Sequence, residues 1–348
     1  MLLKPPTEVL LQLPSPDPDL QRDYEELARQ FRAIVRPVPV RIVHGDGSDD
    51  PEPWRGAALY TPGGVEALKL LESMIERGRG QGDGWRWVHL STPDPRPAEG
   101  WPALPGDPLL TYARGSRARS VAEWGMASLL YFARNLDRHG RDARAHRWKP
   151  LEALSLVDLR VTVLGAGMAG SEFAFLARPF DLDVFGVARR GALAEGFREL
   201  YPPSELHNLL PTSDVVFVLL PNTDETRGSF GEMEISLMPP GSILLVASAG
   251  GVVDEGAVLR AVRSGHLRGA AFDVFADEPL SRGSSLWEEP GILLTPHVAG
   301  ASDDRIFPAL SAFETVWECA FTLGLPDDLA EYAIRGLPDR LADTAGRS

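Results

Sequence analysis

The sequence predicts an α/β protein with a doubly wound parallel sheet and a second, smaller α/β domain. Three observations carry that prediction. At 348 residues the chain exceeds one ordinary domain, which favours two domains of roughly 120 to 220 residues, each with its own core. The second half holds six short apolar runs rich in Val and Leu, separated by helix-compatible segments, the pattern of parallel strands buried on both faces. Directly after the first of these runs stands Gly165-Ala-Gly167-Met-Ala-Gly170.

In chain order, residues 9–13 read as a strand, 20–34 as a helix, 38–43 and 57–60 as strands, 64–77 as a helix and 85–90 as a strand, together a first α/β domain. Pro93, Pro95, Pro97, Pro102, Pro105 and Pro108 then forbid both helix interior and central strand, so 92–108 is read as a loop. Residues 120–136 carry Val121, Trp124, Leu129 and Phe132 at helical spacing, and the charged stretch 137–149 links that helix onward. The six strands of the second half are 161–164, 183–187, 215–219, 242–247, 270–274 and 292–295.

Composition narrows the function. Hydrophobic residues make up 44% and charged residues 24%, the profile of a globular protein. No run approaches the ~18 apolar residues of a membrane span, and residues 1–13 lack the pattern of a signal peptide, so a cytoplasmic, membrane-free protein is expected. Cys319 is the single cysteine, which excludes an internal disulfide, and no Cys/His spacing suggests a metal. A net charge of −14 without a gathered basic face argues against nucleic acid.

The glycine-rich turn points to a dinucleotide. Gly165 permits the tight turn, Gly167 lets the backbone approach a pyrophosphate, and Gly170 brings helix and strand together. Met168 and Ala169 open the helix whose N-terminal amides would face the phosphates. The second strand of such a domain commonly ends in an acid that holds the ribose of NAD, but here the place falls on Ala188, followed by Arg189 and Arg190. Two guanidiniums there suit the 2′-phosphate of NADP; the plainer reading is an arginine pair on a solvated loop. NADP is the expected cofactor, with NAD as the other option.

Several motifs over residues 120–300 then resemble, in order, those of the D-isomer-specific 2-hydroxyacid dehydrogenase family. They are Val121-Ala-Glu123, Leu220-Pro221-Asn-Thr223-Asp-Glu-Thr226, Gly250-Gly251-Val-Val-Asp254-Glu255, Asp273-Val-Phe-Ala-Asp-Glu278-Pro279-Leu280 and Thr295-Pro296-His297-Val-Ala-Gly300. The resemblance implies a Rossmann-type dinucleotide domain over 120–300 and a flavodoxin-like substrate domain formed by 1–119 and 301–348. It also implies a small-molecule substrate and a homodimer built on the helix at 120–136. It assigns catalysis to His297 and Glu278, where the carboxylate orients the imidazole that protonates a carbonyl oxygen as hydride arrives. It adds Leu220, Pro221, Thr226, Ala247, Ser248, Asp273 and Gly300 to the cofactor site.

Two departures stand out. The family places an arginine that grips the substrate carboxylate where this chain has Ala249, within Val246-Ala-Ser248-Ala249-Gly250-Gly251. Losing such a contact costs several kcal/mol, roughly a thousandfold in rate. The loop that would present amides to the carboxylate reads Ser91-Thr-Pro93-Asp94; Arg96, nearby, is either a replacement cation or an ordinary surface residue. After Gly300 the resemblance fades; 313–325 reads as a helix returning to the first domain, and 326–348 is unassigned. The sequence thus favours an NADPH-preferring oxidoreductase acting on a carbonyl-type substrate other than a standard 2-keto acid. Two alternatives stay open: a catalytically degenerate cofactor-binding protein, and a different reaction such as imine reduction.

Overall fold

A computed structural model describes residues 6, 8–13, 21–44, 57–61, 69, 87–92, 109–189, 196–302, 307–323 and 333–335. The chain forms two compact units, one of Met1–Ser116 with Asp303–Ser348 and one of Arg117–Ser302.

In the first unit, β1 (Glu8–Leu13), β2 (Val40–His44), β3 (Ala57–Thr61), β4 (Trp87–Leu90) and β5 (Leu109–Tyr112) pair in parallel in the order β5-β4-β3-β1-β2. This is the flavodoxin-like order. Helix α1 (Gln21–Ile34) lays Tyr24, Leu27, Ala28 and Phe31 against the sheet. Phe313 stacks on Phe31 at 4.6 Å and on Trp87 at 5.1 Å, closing the same core from the far end of the sequence. One polar row is buried among these rings. Thr111 Oγ1 accepts the Trp87 indole N–H at 2.8 Å and lies 2.9 Å from His89 Nδ1, while His89 Nε2 has no hydrogen-bond partner among the described residues. Burial pushes that imidazole down to about 3, so it is held neutral.

The second unit is a sheet of parallel strands in the order β12-β11-β10-β9-β6-β7-β8. The strands are β6 (Arg160–Leu164), β7 (Asp183–Val187), β8 (Glu199–Tyr201), β9 (Val215–Val218), β10 (Ser242–Val246), β11 (Leu267–Phe272) and β12 (Ile292–Leu294). Order reverses between β6 and β9, the switch point of a Rossmann sheet, where ligands bind beyond the C-terminal strand ends. Apolar clusters fill both faces, which is why its central strands read as unbroken hydrophobic runs. The helices of this unit are α2 (Ala118–Ala133), α3 (Leu136–Arg144), α4 (Met168–Ala177), α5 (Leu206–Leu209), α6 (Glu232–Leu237) and α7 (Glu255–Arg263); α8 (Phe307–Trp317) belongs to the first unit.

The structure corrects several expectations. The second sheet has a seventh strand, β8, too short and polar to show a period. The charged stretch after α2 is no plain linker but carries α3, which starts after the buried, left-handed Asn135; Asn135 Oδ1 accepts from Arg268 at 2.7 Å. Strand β5 follows the proline run unannounced. The late helix begins at Phe307, not 313, and runs through a π-helical turn to Leu323. Within the unassigned end, β13 (Ala333–Arg335) joins the first sheet antiparallel to β5. The helix expected at 64–77 and the proline-rich loop fall outside the described residues, Lys69 and Thr92 apart.

Candidate active site

Apart from Val121-Ala-Glu123, which lies in α2, the motifs singled out above in the second unit leave the C-terminal ends of its strands. The first turn follows β6. Gly165 has φ +103°, and a side-chain carbon on it would stand 2.8 Å from the Leu219 carbonyl; one on Gly170 would stand 2.7 Å from the Gly165 carbonyl. Neither position has room for more than hydrogen. Gly167, the N-cap of α4, faces open space, with no protein atom within 4 Å of where a side-chain carbon would be. No side chain caps α4, so its first amides, Met168 and Ala169 among them, are left as donors beside that opening. These residues fit a dinucleotide pyrophosphate: backbone donors, the positive end of a helix, and no side chain in the way.

Ala188 follows β7, its amide held by the Tyr201 carbonyl at 3.0 Å, and the place where a ribose-binding acid would stand carries no acceptor side chain. Arg189 is described and Arg190 is not. The Arg189 guanidinium lies 3.0 Å from Glu225, both side chains about 70% exposed (69% and 73%), a solvated pair that a 2′-phosphate could displace. Glu225 comes from the turn after β9. There Thr226 Oγ1 donates to the Pro221 carbonyl and receives the Thr223 amide at 2.8 Å, and the Leu220 carbonyl takes the Ala249 amide at 3.1 Å.

Ala247 continues β10 by donating to Val218, and Ser248 is buried. Ala249 presents only a methyl group where the resemblance predicts an arginine. The following glycine is fixed by close approach: a side-chain carbon on Gly250 would lie 2.0 Å from the Phe275 carbonyl. Asn222 Nδ2 donates to the Gly250 carbonyl at 2.5 Å and ties the two loops together. The acidic pair Asp254-Glu255 serves local structure. Asp254 caps α7 by accepting the Ala257 amide at 3.0 Å, and Glu255 accepts the Ala276 amide at 2.7 Å, pinning the loop that carries Glu278.

His297 and Glu278 come together. Glu278 Oε2 lies 2.7 Å from His297 Nδ1, while Oε1 accepts the Phe275 amide at 3.0 Å. The imidazole is 58% exposed and the carboxylate 33%, so Nδ1 is committed to the carboxylate and Nε2 is free to face solvent or a ligand. Behind them sits Asp273, 1% exposed. Its carboxylate accepts the Thr295 hydroxyl at 2.6 Å and the amides of Val298 and Ala299 at 2.9 and 2.8 Å, and its carbonyl takes the His297 amide at 2.8 Å. The Thr295 hydroxyl in turn receives the indole N–H of Trp124 from α2 at 2.9 Å. His297 is thereby held at φ +55°, a left-handed backbone uncommon for any residue but glycine. Sequence reasoning missed Trp124, Asn222 and Phe275; the motif that starts at Val121 was read only for its helix, although Trp124 lies one turn into it.

Residues 126–299, half of the chain, match the model of the NAD binding domain of D-isomer specific 2-hydroxyacid dehydrogenases. The chain belongs to the D-isomer specific 2-hydroxyacid dehydrogenase family. Glyoxylate/hydroxypyruvate reductase A of Klebsiella pneumoniae is 32% identical over 197 residues, 56% of this chain and 62% of that protein, so the chain spans less than two thirds of this relative. Among solved structures, a family member from Aeromonas salmonicida is 25% identical with a TM-score of 0.69, covering 90% of this chain and 95% of that one. Another, from Xanthobacter autotrophicus in complex with NADPH and MES, is 27% identical with a TM-score of 0.67 over the same shares, 90% and 95%. In this dehydrogenase family member no described helix is long and apolar enough to cross a membrane.

Proposed function

We propose that the protein is a cytoplasmic NADPH-preferring oxidoreductase that reduces a carbonyl carbon, with His297 as the proton donor and Glu278 as the residue that orients it. The observation that supports this most directly is the 2.7 Å contact between His297 Nδ1 and Glu278 beyond the C-terminal ends of β12 and β11. NADPH supplies a hydride when bound. Gly165, Gly167, Met168, Ala169 and Gly170 would hold its pyrophosphate, the 220–226 and 247–248 loops its ribose and nicotinamide sides, and Arg189, with Arg190, its 2′-phosphate. Asp273 and Gly300 act here through the backbone they shape, since both Asp273 carboxylate oxygens are already occupied. As the carbonyl oxygen gains charge, protonated His297 delivers the proton from Nε2, and Glu278 balances the imidazolium until then. In the reverse direction neutral Nε2 accepts it.

The test is NADPH oxidation across keto acids, ketones and aldehydes. His297→Ala is expected to lower kcat by about a hundredfold or more, and Arg189→Ala to weaken NADPH but not NADH in a titration. Equal affinity for both cofactors in the wild type would sink the NADP assignment. The second reading, a cofactor-binding protein without turnover, draws on Ala249 alone; it predicts that no compound is reduced and that His297→Ala leaves cofactor affinity unchanged.

The proposal includes a homodimer organised on α2, supported by apolar surface left open in this unit: Trp148 is wholly exposed and Phe175 is 54% exposed. Sedimentation at micromolar concentration is expected to give twice the monomer mass, and a monomer in the presence of NADPH would refute it.

A further inference from the structure

The loss at Ala249 leaves the substrate without the cation the family's chemistry uses, and a second arginine lies against the loop that carries His297. Arg117 is the N-cap of α2. Its stem covers Gly300, three residues beyond His297: a side-chain carbon on Gly300 would fall 2.7 Å from Arg117 Cδ, 3.2 Å from Cβ and 3.4 Å from Cγ. Only glycine at position 300 lets the arginine lie there. The loop beneath is held by several bonds: Asp273 accepts from Thr295, Val298 and Ala299, and Trp124 ties α2 to Thr295. The stem therefore lies on a bonded loop, and the residue as a whole is exposed.

Among the described residues that guanidinium has no partner. Arg119, two residues on, is neutralised by Glu123 at 2.9 Å and Glu172 at 3.4 Å, whereas the Arg117 side chain is exposed and makes no hydrogen bond or ion pair with any described residue. The first turn of α2 carries no acid, so the arginine also sits against the positive end of a helix, a placement that helix stability disfavours. A planar bidentate donor whose stem lies on the loop that carries the proton donor, and which is paired with no carboxylate among the described residues, is suited to an anion brought from outside.

We infer that Arg117 receives a carboxylate of the substrate, in place of the arginine absent at Ala249. The inference rests on the reductase reading above and goes further by naming the residue that binds the substrate's charged group. Because the cation comes from α2 and not from the loop after β10, the substrates preferred need not be those of relatives that use the β10 loop.

Oxalate is the probe, titrated calorimetrically into NADPH-loaded wild type, Arg117→Gln and Arg117→Lys, with glyoxylate kcat/KM and NADPH affinity measured in parallel. The expected result is that Arg117→Gln weakens oxalate at least tenfold and lowers glyoxylate kcat/KM by a similar factor, mostly through KM. Arg117→Lys should recover part of both, and NADPH affinity should stay within about twofold, which marks the variants as folded. Wild type that binds no oxalate, Arg117→Gln that binds it as well as wild type, or a parallel loss of NADPH affinity would each overturn the inference. Failure of the reductase reading looks different: oxalate binding would still depend on Arg117 while no wild-type turnover was detected.

Discussion

At the scale of single residues, His297 shows how a functional group can be held against its own backbone preference. Its φ of +55° costs roughly 1–3 kcal/mol for a residue with a Cβ, a cost absorbed by the bonds from its amide to Asp273 and from its ring to Glu278. The expected outcome is an inversion of the usual helix-and-strand rule. His297→Gly should be more stable than His297→Ala by about 1 kcal/mol in denaturant titrations, although both remove the same ring contact. An alanine variant as stable as the glycine variant would show that the backbone there is not strained. The sequence made the pairing with Glu278 legible only through family resemblance, because 19 residues separate the two and nothing in either neighbourhood encodes a 2.7 Å approach. The strained φ was not legible at all, since a histidine carries no mark of the left-handed region.

At the scale of elements, the site depends on how the loop after β12 is bound to the end of β11. Asp273 is the joint, with Thr295, Val298 and Ala299 all donating to one buried carboxylate. Asp273→Asn places an amide N–H against amide donors and should cost about 2–4 kcal/mol in urea titrations, with loss of turnover beyond what instability explains. A variant as stable as wild type would mean the loop holds itself. Strands β6, β7, β9, β10, β11 and β12 were readable because burial on both faces produces continuous Val and Leu runs. By contrast β8, at the sheet edge, reads Glu-Leu-Tyr and carries no such signature, and β5 and β13 are short pieces whose pairing is set by distant chain. Helix α3 hid because its charged residues suit a linker equally well; its start at the buried Asn135 is decided by Arg268, more than 130 residues away (133). The Gly165–Gly170 turn was legible, because Gly165 and Gly170 answer contacts that their neighbours impose and Gly167 keeps the opening between them clear of any side chain.

At the scale of the whole molecule, the two units respond differently to acid. His89 in the first unit is buried and neutral with a pKa of about 3, against 6.5 in the unfolded chain. The unfolded state takes the proton first, so the histidine's contribution to stability is complete above about pH 6.5 and is lost as pH falls from there toward 3. Between pH 7 and pH 5 this one group should remove about 2 kcal/mol, and His89→Leu should flatten that segment of the stability profile. An unchanged slope in the variant would show that carboxylates dominate instead. The first unit has another property that follows from its chain path. Phe313 and Trp317 of α8 complete the core around Phe31 and Trp87, and β13 pairs with β5, yet both arrive after all of the second unit has been made. On the ribosome, the early strands β1 to β5 must therefore wait, with one flank of their core open, while the contiguous Arg117–Ser302 unit emerges and closes on itself. The part of the protein written first is finished last, and a chain stalled near Ser302 would display that apolar flank to chaperones while already holding a complete nucleotide fold.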